Sequence, residues 1–157
     1  MFSTFHEHII RVSHGPQDDL SMDELWSAFL TYAEKPQMFV EHLTDSKIIS
    51  RTETEKGFKL KRHLFFDKMQ IADTVDVISA EHTLVTLVEA GKDFPASSFL
   101  IRLEEPETGN LFVRFIYEEE KRNENPMFSE IRKQAYQDKD EFLVRELLQW
   151  IMRQRKN

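Results

Sequence analysis

The sequence predicts an α+β fold: a curved, seven-stranded antiparallel sheet wrapped around one long C-terminal helix, with two short helices after the first strand. Three observations predict it. Between about 45 and 120, apolar residues recur with a period of two in six runs separated by short polar turns. From Asn125 to the end the apolar spacing becomes three to four. Ahead of the six runs, Ser21-Met22-Asp23-Glu24 opens a capped amphipathic helix.

The first strand is expected near 3–12. In the first helix the Ser21 hydroxyl can accept from the N3 amide while Glu24 reaches back, and Leu20 and Leu25 sit at the staple positions. Asp23 and Glu24 suit the positive end of the helix dipole. Leu25, Trp26, Phe29, Leu30 and Ala33 form its apolar stripe, and Pro36 breaks it. A second short helix is expected near 36–42, with Pro36 at N1. Six strands follow near 45–54, 57–66, 69–78, 82–90, 97–105 and 111–120. Their short connections make an antiparallel meander. Asn125 can cap the last helix, Pro126 suits its N1 position, and Phe128, Ile131, Ala135, Phe142, Leu143, Leu147, Trp150 and Ile151 supply its stripe. A helix of ~29 residues would run ~43 Å. It has to lie across the sheet to bury that stripe, and the gap between the two can take aromatic side chains.

Composition narrows the function. The chain has 157 residues, 21 Lys plus Arg against 28 Asp plus Glu, a formal charge of −7, no cysteine, 4 glycines and 13 phenylalanines. One domain spanning 1–157 is expected, because the polar breaks at 14–19, 55–57, 106–110 and 122–126 are short. The missing cysteines exclude a disulfide framework, a thiol nucleophile and Cys-ligated zinc. Sparse glycine argues against a phosphate-cradling loop. An acidic balance argues against nucleic acid as a partner, since neutralising phosphates requires clustered Lys and Arg. No run reaches the ~20 apolar residues of a membrane span, and the N-terminus has no basic region like that of a signal peptide, so a cytoplasmic location is expected.

Two hairpins can be phased from their turns. A two-residue loop at Asp67-Lys68 pairs Phe66 with Met69, Leu64 with Ile71, Arg62 with Asp73, Leu60 with Val75 and Phe58 with Val77. That face is apolar except for one Arg opposite one Asp. The other carries Lys59, Lys61, His63, Gln70, Thr74 and Asp76. Slipping by one residue would invert the contrast, so the contrast fixes the register. In the last hairpin Leu103 faces Val113, Ile101 faces Phe115 and Phe99 faces Tyr117. Arg62 and Asp73 are the strongest signal. They are either a cross-strand ion pair that orients a hairpin or a polar anchor inside a pocket.

The remaining polar groups say less. His6 and His8 share one strand face at a spacing that can hold a metal, but no further ligand accompanies them. A surface or rim pair, and no metal, is expected. His14, His42, His63 and His82 are scattered and form no triad. Glu104 and Glu105 point to opposite faces and cannot share a substrate. Glu118 to Arg122 reads as a solvated strand end, and Arg153 to Lys156 suits the negative end of the last helix. Tyr136 either looks into the gap or lies on the helix surface.

This order of elements resembles the helix-grip arrangement of the START/SRPBCC superfamily, the birch-pollen-allergen-like fold. Specific stretches resemble its AtaL-like branch, found in bacteria and fungi. These are Leu25-Trp26, Ala33 to Pro36, Phe39-Val40, Arg62 with Asp73, Glu104-Glu105-Pro106 through Gly109, Leu111-Phe112-Val113-Arg114-Phe115 with Tyr117, and Lys133-Gln134-Ala135-Tyr136. The resemblance implies an apolar cavity between sheet and long helix. It carries over no catalytic residue and no cofactor.

Three functions then compete. The first is a binding module for a small hydrophobic ligand, with Arg62, Asp73, Tyr117 and Tyr136 as polar groups and Phe99, Phe115, Leu60, Leu64 and Ile71 as apolar lining. The second, which the resemblance allows, is a polyketide cyclase or dehydratase using Asp73 or Tyr117 as acid or base and Arg62 to stabilise an enolate-like oxygen. The third is a protein-interaction module using an outer patch of Leu100, Phe112 and Ile116, which would also serve a homodimer; the chain alone is consistent with a monomer.

Overall fold

The structure, a computed structural model, describes residues 1–13, 15 and 19–156. His14 and most of the first expected polar break therefore lie outside the described residues. The elements are β1 (Phe2–Arg11), α1 (Met22–Glu34), β2 (Leu43–Thr54), β3 (Gly57–Phe66), β4 (Met69–Ile78), β5 (Thr83–Val88), β6 (Ser97–Glu107), β7 (Asn110–Glu120) and α2 (Pro126–Arg155). The strands form one sheet in the order β1-β7-β6-β5-β4-β3-β2, and every neighbouring pair is antiparallel. Consecutive strands pair because their turns are short. β1 closes the far edge against β7, so the chain termini of the sheet meet there.

The predicted hairpin registers are those observed: Phe66 to Phe58 pair with Met69 to Val77, with Arg62 opposite Asp73, and Phe99 pairs with Tyr117. Irregularities between Thr4 and His6 in β1, and twice in β2, bend the two edge strands. The concave face collects Leu60, Val75, Val77, Leu84, Ile101, Leu103, Val113 and Phe115, each at most 4% exposed.

α1 forms where the capping box places it. Ser21 Oγ accepts from the Glu24 amide at 3.1 Å, and Glu24 Oε1 accepts from the Ser21 amide at 3.3 Å. Its face Leu25, Ala28, Phe29 and Ala33 is buried. The expected second helix reduces to a 3₁₀ turn at Pro36–Met38. Phe39 and Val40 are weak helix formers, and His42 adopts a left-handed φ of 68°, which turns the chain into β2 instead.

α2 is capped as expected, Asn125 Oδ1 accepting from the Met127 amide at 2.8 Å. Its phase differs from the expected stripe. The buried residues are Asp140, Leu143, Val144, Leu147 and Ile151, all from the middle of the helix onward, whereas Phe128 and Ile131 are 60% and 57% exposed. Arg155 ties the end of α2 to the start of α1, its guanidinium donating to both Glu24 carboxylate oxygens at 2.8 and 2.7 Å.

One charged stretch lands differently from expectation, while Glu104 and Glu105 point to different partners as expected. Glu119 is not a solvated strand end. Strand alternation turns it inward beside Tyr117, where it is 5% exposed and accepts from both Arg132 Nη groups at 2.9 and 2.6 Å. Glu104 accepts a two-pronged bond from Arg114 on the outer face, and Glu105 accepts from the Gly109 amide at 3.0 Å. Leu100, Phe112 and Ile116 are half-buried on that outer face, with the Arg11 guanidinium 5.6 Å from the Phe112 ring centre.

Candidate functional site

A cavity of about 570 Å³ lies between the concave face of the sheet, the segment Tyr32 to Leu43, and the middle of α2. Its sheet wall comes from the open half of the β3–β4 hairpin, where Leu64, Phe66 and Ile71 are half-buried, and from Phe99 and Ile101. Pro36, Phe39 and Leu43 close one side, and Ala135, Phe142 and Leu143 of α2 close the other. A groove of similar volume, about 580 Å³, runs between β1 and the opposite flank of α2, from Ile10 to Met152 and Arg153. It is far more open and has no buried polar group.

The cavity has two polar stations. The first is the predicted pair. Arg62 Nε donates to Asp73 Oδ1 at 2.9 Å and Nη2 donates to Oδ2 at 2.7 Å, a two-pronged bond between residues each 4% exposed. Nη1 donates to the Ala33 carbonyl at 2.8 Å. That carbonyl is among the last four of α1, which have no partner inside the helix, so the guanidinium caps α1 and fastens it to the sheet. Both side chains also line the cavity. The two readings of this pair are compatible: it orients elements and it borders the pocket.

The second station was not legible beforehand. Asp140, on the buried stripe of α2, is 1% exposed. Its carboxylate accepts from the Tyr117 hydroxyl at 2.7 and 2.8 Å, and from His8 Nε2 at 2.8 Å. His8 is therefore not a rim residue. Its ring stacks on Phe115 at 5.2 Å and under His6 at 5.3 Å, and among the described residues His6 Nε2 is buried without a partner. Burial in this stack lowers the His6 pKa, with His8 adding to the effect. No group of three or more metal-ligating side chains forms among the described residues.

Next to Asp140, Lys139 places its ammonium 5.3 Å from the Phe99 and Tyr117 ring centres and 5.4 Å from that of Tyr136. Tyr136 stacks on Tyr117 at 4.0 Å and Tyr117 on Phe99 at 5.6 Å, so the three rings form a continuous wall beneath it. Desolvation lowers the Lys139 pKa, and the neighbouring Asp140 opposes that shift. Desolvation raises the Tyr117 pKa well above that of a free phenol, and the Asp140 charge raises it further. Tyr32 also lines the cavity, and desolvation pushes its pKa to about 12.

Of the residues predicted from sequence, Arg62, Asp73, Leu64, Ile71 and Phe99 border the cavity directly. Leu60 and Phe115, at 1% and 0% exposed, lie in the packed core beneath it. Tyr117 and Tyr136 stand behind Lys139 in the ring stack. Sequence reasoning missed Tyr32, His8, Lys139 and Asp140. The signal available was Asp140 itself, a carboxylate at three-four spacing from Leu143, Val144 and Leu147.

Solved structures share this architecture. A START superfamily protein from Mycobacterium smegmatis aligns with a TM-score of 0.63 at 13% identity over 92% of this chain and 97% of its own. The allergen Ara h 8.0201 aligns at 0.62 and 14% identity over 97% and 99%. The Zhui aromatase/cyclase from Streptomyces sp. R1128 aligns at 0.64 and 12% identity over 98% and 95%. At such identities the likeness is one of fold, the START/SRPBCC helix grip. No curated protein matches the sequence. The family model described as acetylaranotin biosynthesis cluster protein L matches residues 11–153, which takes in α1, the hairpin carrying Arg62 and Asp73, and α2 through Asp140, and the chain belongs to this AtaL family.

Proposed function

We propose that the protein binds a small, mainly hydrophobic molecule in the cavity between sheet and α2. The observation that carries this reading is the cavity itself. About 570 Å³ falls within the ~300–1,000 Å³ typical of small-molecule sites, and its walls are apolar with a few convergent polar groups. Leu64, Ile71 and Phe99 would contact the apolar body, with Arg62 and Asp73 on one wall. Tyr117 and Tyr136 would act through Lys139 and Asp140, and Leu60 and Phe115 would support the floor.

The test fills the space. Ile71→Trp and Leu64→Trp project a large ring from the half-buried end of the hairpin into the cavity. Native mass spectrometry of gently purified wild-type protein should show a bound small molecule or uptake of hydrophobic probes, and both variants should lose it while keeping the wild-type circular dichroism spectrum. Unchanged uptake in both variants would place binding elsewhere.

A second reading, an enzyme of the cyclase or dehydratase type, is supported by the hydrogen-bonded set His8–Asp140–Tyr117 at the cavity wall. The family description names a biosynthesis cluster, and one fold neighbour is an aromatase/cyclase. Asp73 is held by Arg62. Proton transfer would therefore fall to Asp140 with His8, and Tyr117 would position that carboxylate. Deuterium exchange at the α-carbon of a β-keto thioester, read by mass, should be accelerated by the protein and lost in Asp140→Asn with binding retained. No acceleration over buffer removes this reading and leaves the first intact.

A further inference from the structure

Both buried carboxylates that border the cavity already have donors. Asp73 is held by Arg62, and Asp140 by Tyr117 and His8. The other two, Asp138 and Glu41, are exposed at the rim, where Asp138 accepts from Gln134 Nε2 at 2.9 Å and Glu41 faces water. The donors are in the opposite situation. Among the described residues the Lys139 ammonium has no hydrogen-bond or ion-pair partner, and it is held over a wall of three rings. Of the five guanidinium N–H groups of Arg62, three are used, which leaves two on a side chain that lines the cavity. The Tyr32 hydroxyl, also at the cavity, has no partner among the described residues.

A cavity whose buried carboxylates are engaged and whose donors are not is complementary to an acceptor. We propose that the occupant is a hydrophobic molecule carrying an anionic oxygen, a carboxylate, enolate or phenolate, and that Lys139 is its anchor. This rests on the binding reading above and deepens it by naming the chemical class. Lys139 is exposed, so its ammonium can reach water when the cavity is empty; a neutral apolar ligand would strip that water and offer no partner in return, which costs free energy. An amine would add a second cation where both buried carboxylates are already held. An oxygen anion beside Lys139 restores the lost solvation and forms a charge-assisted hydrogen bond. The overall charge of −7 works against an anion at long range, but salt screens it beyond about 8–10 Å whereas the contact inside the cavity persists.

The test uses three matched probes, 2-naphthoate, 2-naphthylmethylamine and 2-naphthylmethanol, titrated calorimetrically into wild-type protein and Lys139→Gln near neutral pH. Wild type should bind naphthoate at least ~10-fold more tightly than the alcohol and bind the amine least, the size expected of one charge-assisted hydrogen bond. Lys139→Gln should bring naphthoate down to the level of the alcohol and leave the alcohol unchanged. Because Lys139 retains exposed surface, the variant should fold, which circular dichroism verifies. Equal affinity for alcohol and naphthoate in wild type, or a naphthoate preference that survives Lys139→Gln, overturns the anchor and leaves the binding reading standing. Failure of all three probes to bind overturns both.

Discussion

The Arg62–Asp73 pair offers the most quantitative test of how the site is built. Asp73→Leu removes the charge and substitutes a somewhat larger apolar side chain, which the adjoining cavity can take. The structure then leaves a guanidinium 4% exposed, with one carbonyl acceptor, Ala33 O, in place of three partner atoms. Removing one member of a buried pair typically costs about 3–5 kcal/mol, because the other charge stays desolvated. The cavity can admit water to the free N–H groups, which favours about 3 kcal/mol. With a urea m value of about 2 kcal/mol/M, the unfolding midpoint should fall by roughly 1.5 M. The double variant Arg62→Met/Asp73→Leu removes both charges and leaves only the Ala33 carbonyl without its donor, a loss of about 1–3 kcal/mol. It should be no less stable than Asp73→Leu alone and clearly more stable than the sum of the two single variants, with a coupling of about 2 kcal/mol or more. The assay is urea unfolding followed by Trp fluorescence. A midpoint shift under about 0.5 M for Asp73→Leu, or strict additivity in the double variant, would refute the claim that this pair is desolvated and mutually dependent.

Other consequences can be measured in the same way. Tyr117→Phe removes a donor to the buried Asp140 carboxylate and should cost about 1.5–3 kcal/mol in urea unfolding, the range for hydrogen bonds to charged groups. Gly57→Ala would press a Cβ onto the Val77 carbonyl oxygen at the β3–β4 pairing and should cost about 1–3 kcal/mol, with the backbone giving way. The hydrogen bonds from Arg114 hold the Glu104 pKa below the usual glutamate value of 4.5. The unfolded chain therefore takes up a proton first, so this contribution is present above about 4.5 and is lost as pH falls through the folded-state value. Arg114→Leu should flatten the pH dependence of the thermal midpoint below 4.5, and a curve parallel to wild type would count against the assignment.

How much could be read from the sequence depended on whether neighbouring residues settled the geometry. The β3–β4 hairpin was legible because a two-residue turn fixes the parity of every pair. Once Phe66 faces Met69, Arg62 can only face Asp73, and the contrast between Leu60, Leu64 and Val75 on one side and Lys59, Lys61 and Asp76 on the other confirms the face. The α2 stripe was not settled in that way. Phe128, Ile131 and Ala135 repeat at helical spacing, but at 3.6 residues per turn Phe128 lies about 120° around the axis from Asp140 and Ile131 about 120° from Leu143. Only packing against the sheet decides which of two overlapping stripes goes inward. His8 was hidden for a related reason. The face of β1 is set by its pairing with β7, more than a hundred residues away and past an irregularity at Thr4/His6. No local pattern encodes that choice.

The same helix explains why a cavity exists at all. From Asp140 onward the sheet-facing positions of α2 are Leu143, Val144, Leu147 and Ile151, and there the helix closes onto the concave face. One and two turns earlier, the corresponding positions carry Tyr136, Arg132 and Lys133, which have polar ends. Arg132 reaches Glu119 rather than the core, and Tyr136 stacks flat on Tyr117. With long polar side chains in place of apolar ones, this half of the helix has no buried residue before Asp140. Asp140 and Lys139 sit at the changeover, one facing the packed half through Tyr117 and His8, the other facing the space. The polar residues that would look like faults in a packed core, Asp140 and Lys139, therefore border the cavity, and under the anchor proposal their placement there sets its chemical preference.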